Sequence, residues 1–152
     1  MQKSVGILCL LVLILSFTSC EKDSVKNIET ITYGSSFGFC TGYCKTDLVV
    51  GNEKLIFSKS KNGENPDRKT CTSTITLTEF NTIRDLVELD KVAKLPKTIG
   101  CPDCADGGAE WISINTGAKD YKVVFEYGRA PKELAAIVAR LRELKETFAN
   151  CN

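Results

Sequence analysis

The chain has 152 residues and a formal net charge of +1, with 20 Lys and Arg against 19 Asp and Glu. This length suits one domain with one modest core, and the charge balance argues against a basic nucleic-acid-binding surface. The absence of histidine excludes Ser-His and Cys-His nucleophile pairs and imidazole metal sites, so conventional hydrolase chemistry is disfavoured.

Residues 1–19 have the three parts of a secretion signal. Lys3 supplies the positive charge, an uncharged apolar run extends from Gly6 to Leu15, and small residues stand just before Cys20. The run is far shorter than the roughly 20 residues that a membrane-spanning helix needs. We therefore predict a cleaved signal peptide and not a transmembrane anchor.

The segment Phe17-Thr18-Ser19-Cys20 resembles the lipobox of bacterial lipoproteins, although Phe17 stands where leucine is usual. The resemblance implies that the Cys20 sulfur is acylated, with palmitate among the chains, and that Cys20 is the first residue of the mature protein. Each buried methylene contributes about 0.8 kcal/mol, and two or more chains hold stably where one does not. The alternative is an ordinary secreted protein that is cleaved near Ser19.

Residues 20–27 are predicted to be the lipidated cysteine and a polar tether. A flexible segment of this length spans roughly 15 Å, so the domain would sit close to the bilayer. The acidic start Glu21-Lys22-Asp23 resembles a signal that sends some lipoproteins to the cell surface, and a merely solvated tether is the alternative. The expected location is the cell envelope, lipid-anchored at the outer membrane, on its periplasmic face or at the cell surface.

Six segments show the alternation or the β-branched composition of strands. They are residues 28–34, 46–50, 54–59, 70–77, 110–115 and 120–127. The second and third are separated by Gly51-Asn52-Glu53 and read as a hairpin. Polar or glycine-containing loops separate most of the others, and a predicted helix lies between the fourth and the fifth.

Two helices are predicted. The first takes Thr78 as its N-cap and ends near Asp90, and Pro96 prevents its continuation. The second has Pro131 in its first turn. It is followed by an apolar stripe at helical spacing that we expect to pack in the core: Leu134, Ile137, Val138, Leu141, Leu144 and Phe148. This order predicts a single α+β domain over residues 28–152, with an antiparallel sheet of about six strands and two helices packed on one face.

Six cysteines follow Cys20 and are the candidate disulfide residues: Cys40, Cys44, Cys71, Cys101, Cys104 and Cys151. An even number in an exported chain indicates a disulfide framework, but six cysteines allow about 15 pairings. Cys101 and Cys104 can close across one turn, and Cys40 and Cys44 can close only if the chain turns at Gly42. Cys71 and Cys151 would then remain, and their bridge would contribute about 4–5 kcal/mol. A crossed pairing between the two cysteine loops is the alternative.

The cysteines could also bind a metal or take part in redox chemistry, and structural disulfides are the preferred interpretation. Cys40, Cys44, Cys101 and Cys104 could supply four thiolates to zinc, but an oxidising compartment disfavours this. Cys101 and Cys104 could be a redox pair, although the Asp103 and Asp106 anions and Gly107-Gly108 oppose thiolate formation. No metal or other cofactor is predicted.

The segment that follows Cys101 offers two further possibilities. Asp103, Asp106 and Glu110 could bind calcium, but they lack the spacing of an EF-hand loop, so a solvated turn is preferred. Trp111, the single tryptophan, begins a strand and is more simply a core residue than a ligand platform.

Two segments carry a resemblance to a family. The stretches Tyr33-Gly34-Ser35-Ser36-Phe37-Gly38-Phe39-Cys40-Thr41-Gly42-Tyr43-Cys44 and Gly100-Cys101-Pro102-Asp103-Cys104-Ala105-Asp106-Gly107-Gly108-Ala109-Glu110-Trp111 resemble uncharacterised lipoproteins of Gram-negative bacteria. The C-x-G-x-C start, followed by alternating strands, is similar to a domain of unknown function in exported bacterial proteins. The resemblance implies no activity and assigns no functional residue.

The function expected from the sequence is that of a non-enzymatic envelope lipoprotein, acting as a structural or binding module. Its partners would be the membrane, through the anchor, and an unidentified protein, but no nucleic acid. A thiol-disulfide oxidoreductase that uses Cys101 and Cys104 is one alternative. An envelope inhibitor or immunity protein is another.

Overall fold

The computed structural model describes residues 27–151. The predicted signal peptide, the predicted lipidation site at Cys20 and residues 21–26 of the predicted tether lie outside the described residues. Among the residues described, no helix is long and apolar enough to cross a membrane.

The domain is α+β, and its sheet has the strand order β4-β3-β2-β1-β6-β7-β5. The strands are β1 (Thr30–Ser36), β2 (Lys45–Gly51), β3 (Lys54–Ser60), β4 (Arg68–Thr74), β5 (Thr98–Ile99), β6 (Ala109–Asn115) and β7 (Asp120–Glu126). All neighbours are antiparallel except β5, which runs parallel to β7. The sheet thus has seven strands and not about six. The two-residue β5 was missed because two residues are too few to show an alternating pattern.

Three helices accompany the sheet: α1 (Leu77–Arg84), α2 (Leu89–Val92) and α3 (Ala135–Glu146). The prediction of two helices was wrong because the segment expected to run from Thr78 to Asp90 is broken after Arg84. Val87 and Leu89 are both buried, yet residues two apart point to different sides of a continuous helix. The break allows both side chains to reach the core.

Helix α1 begins two residues earlier than predicted because Thr76, and not Thr78, is its N-cap. The Thr76 hydroxyl accepts the Glu79 N–H at 3.2 Å, and the Glu79 carboxylate accepts the Thr76 N–H at 3.0 Å. This reciprocal capping box is flanked by two buried apolar side chains, Ile75 and Phe80, in the positions of a hydrophobic staple. Strand β4 therefore ends at Thr74.

One face of the sheet carries the core and is covered by the helices. Along β1, Ile31 and Tyr33 point into this core, and the helices contribute buried residues such as Ile83 and Leu141. The predicted C-terminal stripe does pack here, with Leu134, Ile137, Val138, Leu141 and Phe148 buried and Leu144 at the margin. Pro131 lies in a turn before α3 and not in its first turn.

The two ends of the sheet differ. At the hairpin end lie the start of β1 and the short turns that join β2 to β3 and β6 to β7. At the other end, which we call the loop end, lie four longer segments: residues 37–44, 61–67, 100–108 and 127–134. Asn27, the first described residue, precedes β1 and so belongs to the hairpin end, one strand length or about 20 Å from the loop end.

Candidate functional site

The six cysteines downstream of Cys20 are brought together as pairs at disulfide distance. The Cα atoms are 5.7 Å apart for Cys40 and Cys44, 5.8 Å for Cys71 and Cys151, and 5.5 Å for Cys101 and Cys104. This is the arrangement in which both short-spaced pairs close within their own loops. Gly42, at φ +95°, provides the turn that the Cys40–Cys44 loop needs.

The two short cysteine loops are neighbours at the loop end. The Gly38 N–H donates to the Asp103 carboxylate at 3.2 Å, which joins residues 37–44 to residues 100–108. The Phe37 ring lies 4.8 Å from the Tyr127 ring, centroid to centroid, and against Gly108. A Cβ at Gly108 would stand 2.4 Å from that ring, so only glycine permits this contact.

The β3–β4 loop completes this surface. The Asn62 amide donates to the carbonyl oxygens of Phe37 and Gly38 at 3.0 and 2.9 Å. Tyr43 donates its hydroxyl to Asp67 at 3.1 Å, and Lys61 forms an ion pair with the same carboxylate at 3.3 Å. Hydrogen bonds from Lys61 and Tyr43 hold the pKa of Asp67 below its usual value. Three loops are therefore held together by hydrogen bonds and one ion pair.

Phe39 is the most exposed large apolar side chain of the described residues, at 87% of its maximum. It stands next to the Cys40–Cys44 pair, at the rim of an open depression lined by Gly38, Cys40 and Thr41. The nearby Tyr43 ring makes cation–π contacts with two lysines. The Lys59 and Lys61 ammonium groups lie 4.8 and 5.8 Å from its centroid. The loop end thus combines an aromatic tip with a basic flank.

A second feature of the loop end is a cleft of about 300 Å³ beside the Cys101–Cys104 pair. It is lined by Cys101, Cys104, Gly107, Gly108, Glu126, Tyr127 and Arg129. The Glu126 carboxylate accepts the Cys101 N–H at 3.0 Å and pairs with Arg129 at 2.7 Å. The Cys101 N–H, followed by Arg129, holds the pKa of Glu126 below its usual value, so this carboxylate is anionic and compensated.

The backbone around the Cys101–Cys104 pair is unusual. Asp103, Ala105 and Asp106 have φ values of 61°, 50° and 61°, in the left-handed region. Among the residues described, Glu53, in the β2–β3 turn, is the other non-glycine residue of this kind. Left-handed backbone costs a side-chain-bearing residue about 1 kcal/mol or more, although aspartate tolerates it better than alanine.

A buried polar cluster that was not predicted from the sequence lies between the sheet and α3. Glu110 has no exposed surface, and its carboxylate accepts the Tyr33 hydroxyl at 2.5 Å, the Arg142 Nε at 3.1 Å and the Gly128 N–H at 3.1 Å. Arg142 Nη2 completes a bidentate ion pair with it. Burial, followed by the hydrogen bond to Glu110, raises the pKa of Tyr33.

This cluster is a structural tie and not a reaction centre. Every partner of the Glu110 carboxylate is a donor from the protein itself, so no acceptor capacity is left for a substrate. The amphipathic α3 stripe indicated which face is buried, but Arg142 flanks that stripe and reads as a surface residue in the sequence. A charged residue inside an otherwise apolar strand, as Glu110 is, was the one available signal.

The cysteines suggested as zinc ligands and the carboxylates suggested as calcium ligands are not brought together in the described part of the chain. Over residues 27–151 there is no group of three or more His, Cys, Asp or Glu side chains placed to hold a metal ion. Cys40, Cys44, Cys101 and Cys104 form two pairs and not one tetrad. The three carboxylates weighed as calcium ligands also diverge, because Asp103 turns to Gly38 and Glu110 turns into the core, so the solvated-turn interpretation of Glu110 was wrong.

Trp111 is buried, as expected, but not in the helix-covered core. It lies on the open face of the sheet, flat against Gly34 of the paired β1 strand. Lys45 and Lys122 each place an ammonium group 5.5 Å from its ring centroid. With 8% of its surface exposed, Trp111 covers the sheet and offers little area to a ligand.

Comparison with known proteins adds no family to these observations. No protein-family model matches the chain. No curated protein matches it either.

Proposed function

We propose that this protein is a lipid-anchored binding module of the bacterial cell envelope, and that its loop end engages another envelope protein. The observation that carries the proposal is the exposure of Phe39 on a cysteine-closed loop, at the end of the sheet opposite Asn27. A chain held to the membrane through Cys20 would attach at the hairpin end. The loop end would then be the part directed away from the bilayer.

Preorganisation of the loop end supports binding. Its loops are already joined by the Gly38–Asp103 and Asn62–Phe37 hydrogen bonds, so little conformational entropy is lost when a partner docks. Exposed aromatic side chains such as Phe39 are typical anchors at interfaces, where a few residues supply most of the affinity. The Lys59 and Lys61 ammonium groups lie over the ring of Tyr43 in the same cysteine loop, and Lys61 also pairs with Asp67. The complementary partner is a protein with an apolar pocket and an acidic rim.

Site-specific photo-crosslinking in the intact envelope tests this proposal. A photoreactive residue at position 39 is expected to capture one defined envelope protein. The matched control is position 77, because Leu77 is also an exposed apolar residue, at 53%, but lies just beyond β4 at the hairpin end. Identical products from the two positions, or no product from position 39, would contradict the assignment of the loop end.

The captured protein then provides a quantitative test. Phe39→Ala is expected to weaken its binding at least tenfold, which corresponds to about 1.4 kcal/mol, whereas Leu77→Ala leaves it unchanged. Lys59→Gln, which removes a positive charge and leaves the Lys61–Asp67 pair in place, is expected to slow association and to weaken its dependence on salt. Equal effects of Phe39→Ala and Leu77→Ala would exclude Phe39 as the anchor.

The membrane attachment has a separate test. Radiolabelled palmitate should be incorporated into the wild-type protein and not into Cys20→Ala. Incorporation that persists in Cys20→Ala would refute lipidation at Cys20. It would not affect the crosslinking test of the loop end.

An envelope inhibitor is a second candidate. It is favoured by the same Phe39 tip, since a short loop closed by a cysteine pair can enter the cleft of an enzyme with little loss of entropy. If the captured protein is an enzyme, its turnover should fall on addition of the wild-type protein and recover with Phe39→Ala. An enzyme that keeps full turnover while bound would exclude inhibition.

A further inference from the structure

The three cysteine pairs differ in how their sulfur atoms can be approached. Cys44 and Cys151 are almost completely buried, at 3% and 4% exposure, so each of their pairs has one shielded partner. Cys101 and Cys104 are both exposed and line the 300 Å³ cleft. Thiol-disulfide exchange requires a thiolate to reach a sulfur atom directly. Cys40 is exposed as well, but attack on it must expel the buried Cys44, whereas in the cleft either sulfur can be attacked while the other leaves into solvent.

The backbone favours opening of this pair. Asp103 lies inside the ring that Cys101 and Cys104 close, and Ala105 and Asp106 follow directly, all three with positive φ. Ala105 has neither the hydrogen-bonding side chain of aspartate nor the freedom of glycine in this conformation. Opening the ring frees Asp103, which lies within it, and the Cys104 end from which Ala105 and Asp106 continue, so this segment can move toward ordinary backbone angles. Strained and exposed disulfides are the more easily reduced ones.

The fold does not depend on the pair. Cys101 and Cys104 are separated by 3 positions, whereas Cys71 and Cys151 are separated by 80 and tie β4 to the residues after α3. The ends of the 100–108 loop are held independently, by the Cys101 N–H to Glu126 and by the Asp103 N–H to the Gly108 carbonyl at 3.0 Å. The pair can therefore open and close while the domain stays folded.

The charges at the cleft oppose a thiolate less than the sequence predicts, and the Asp106 carboxylate is exposed to solvent, which screens its charge. The Asp103 carboxylate is engaged by the Gly38 N–H, and the Glu126 carboxylate is compensated by the Cys101 N–H and by Arg129. The Arg129 side chain is 79% exposed at the rim, where it can attract an incoming thiolate. Tyr127, 44% exposed, forms an apolar wall for the residues that flank a partner's cysteine.

We propose that Cys101 and Cys104 form a thiol-exchange site that accepts electrons from a dithiol of another protein. A thiolate of the partner attacks one sulfur of the pair, the bond between Cys101 and Cys104 breaks, and the other cysteine leaves as a thiolate. The partner's second thiolate then attacks the mixed disulfide and releases the remaining cysteine. Two electrons and two protons pass to Cys101 and Cys104, and the partner's dithiol becomes a disulfide. This activity does not rest on Phe39 or on the proposed docking surface.

Graded reduction of the full-length mature protein is the first test. After incubation with increasing dithiothreitol, free thiols are alkylated and located by peptide mapping. Cys101 and Cys104 are expected to be half reduced at a dithiothreitol concentration at least tenfold lower than either other pair, with near-ultraviolet circular dichroism unchanged. The Cys40–Cys44 pair, also short-spaced and at the loop end, is the internal control. Simultaneous opening of the two short pairs would overturn the proposal.

The contribution of the backbone is tested by Ala105→Gly. Glycine removes the cost of the left-handed conformation, so the closed ring is stabilised and at least threefold more dithiothreitol is expected for half reduction. Ala118→Gly, at an exposed alanine of the β6–β7 turn that lacks a positive φ, is the matched control. An unchanged midpoint for Ala105→Gly would show that the backbone does not drive opening.

Exchange itself is tested with a reduced dithiol peptide as the electron donor. The oxidised wild-type protein should oxidise one equivalent of peptide at least ten times faster than the Cys101→Ala, Cys104→Ala double variant, which keeps the other two pairs. In the envelope, Cys101→Ser or Cys104→Ser leaves one free thiolate, which can attack the disulfide of the oxidised partner and so form the same mixed disulfide in the reverse direction, whereas Cys44→Ser is not expected to form it. Equal peptide oxidation by the wild-type protein and the double variant would refute the exchange site, whatever the crosslinking experiments at Phe39 give.

Discussion

Glu110 and Arg142 join strand β6 to helix α3 through a bidentate ion pair whose carboxylate has no contact with solvent. Arg142 lies at the boundary, with 39% of its side chain exposed. Tyr33 on β1 and Gly128 after β7 satisfy the remaining lone pairs of Glu110. The pair therefore fixes where α3 sits on the sheet, in addition to the apolar packing beneath it.

Removal of one partner should be far more costly than removal of both. Arg142→Met leaves a buried carboxylate without its cation and is expected to lower the free energy of unfolding by about 3 kcal/mol. Glu110→Leu with Arg142→Met replaces the pair by apolar side chains of similar size and should cost less than Arg142→Met alone. Urea unfolding curves followed by circular dichroism measure both.

The control for this prediction is Arg140→Met, on the same helix. The Arg140–Glu143 pair is solvent-exposed and is expected to contribute at most about 0.5 kcal/mol. A double variant that is less stable than Arg142→Met would show that the interaction is net stabilising and not mainly a means of positioning α3.

Patterns with a local cause were readable from the sequence. The stripe from Leu134 to Phe148 predicted which residues of the last helix reach the core, because side-chain direction follows from the backbone period alone. Six of the seven strands were found in this way. The capping box was also readable, since Thr76 and Glu79 have the required spacing, but Thr78 was chosen instead.

Features that depend on distant partners were not readable. Glu110 looked like part of a solvated turn because its partners Tyr33 and Arg142 lie 77 and 32 positions away. The cleft beside Cys101 needs Glu126 and Arg129, which come close only because β7 pairs with β5 on one side and with β6 on the other. The grouping of four segments at the loop end could not be predicted for the same reason, because only the strand order brings these segments together.

Tyr33 provides a test by pH. Its pKa is raised, so between pH 10 and that higher value the folded state keeps a proton that the unfolded state loses. Stability linked to Tyr33 is therefore fully present below pH 10 and is lost as the pH rises through the folded-state pKa. Absorbance at 295 nm should show one tyrosine that resists ionisation until the protein unfolds.

Tyr33→Phe should remove that resistant tyrosine and flatten the fall in stability above pH 10. Burial lowers the pKa of the neighbouring Lys145, which changes stability with pH in the opposite sense, so the comparison must be made between wild type and variant. Tyr121→Phe, at a partly buried position on β7, is the control and should leave the resistant tyrosine in place. Loss of the resistant signal in Tyr121→Phe would mean that Tyr33 had been misassigned.

The two structural cysteine pairs should differ in their contribution to stability. In the chain-entropy model, a bridge across 80 positions contributes about 4.5 kcal/mol, whereas one across 4 positions contributes about 2 kcal/mol. Cys71→Ala with Cys151→Ala should therefore lower the urea midpoint more than Cys40→Ala with Cys44→Ala. Equal losses would indicate that strain or residual structure, and not loop length, governs these bridges.

Gly34 and Trp111 form the least replaceable contact on the open face of the sheet. A Cβ at Gly34 would lie 2.1 Å from the Trp111 ring. Because the Lys45 and Lys122 side chains flank that ring, the indole could avoid the Cβ only by leaving its position on the sheet. Gly34→Ala is expected to cost about 2 kcal/mol by overpacking and to shift tryptophan fluorescence to the red as the indole becomes exposed. In a Trp111→Ala background the same substitution meets no ring, and its cost should fall to a few tenths of a kcal/mol or become a gain, since alanine restricts the unfolded chain more than glycine. A cost that stays the same in both backgrounds would mean that Gly34 is required by the β1 backbone and not by the indole.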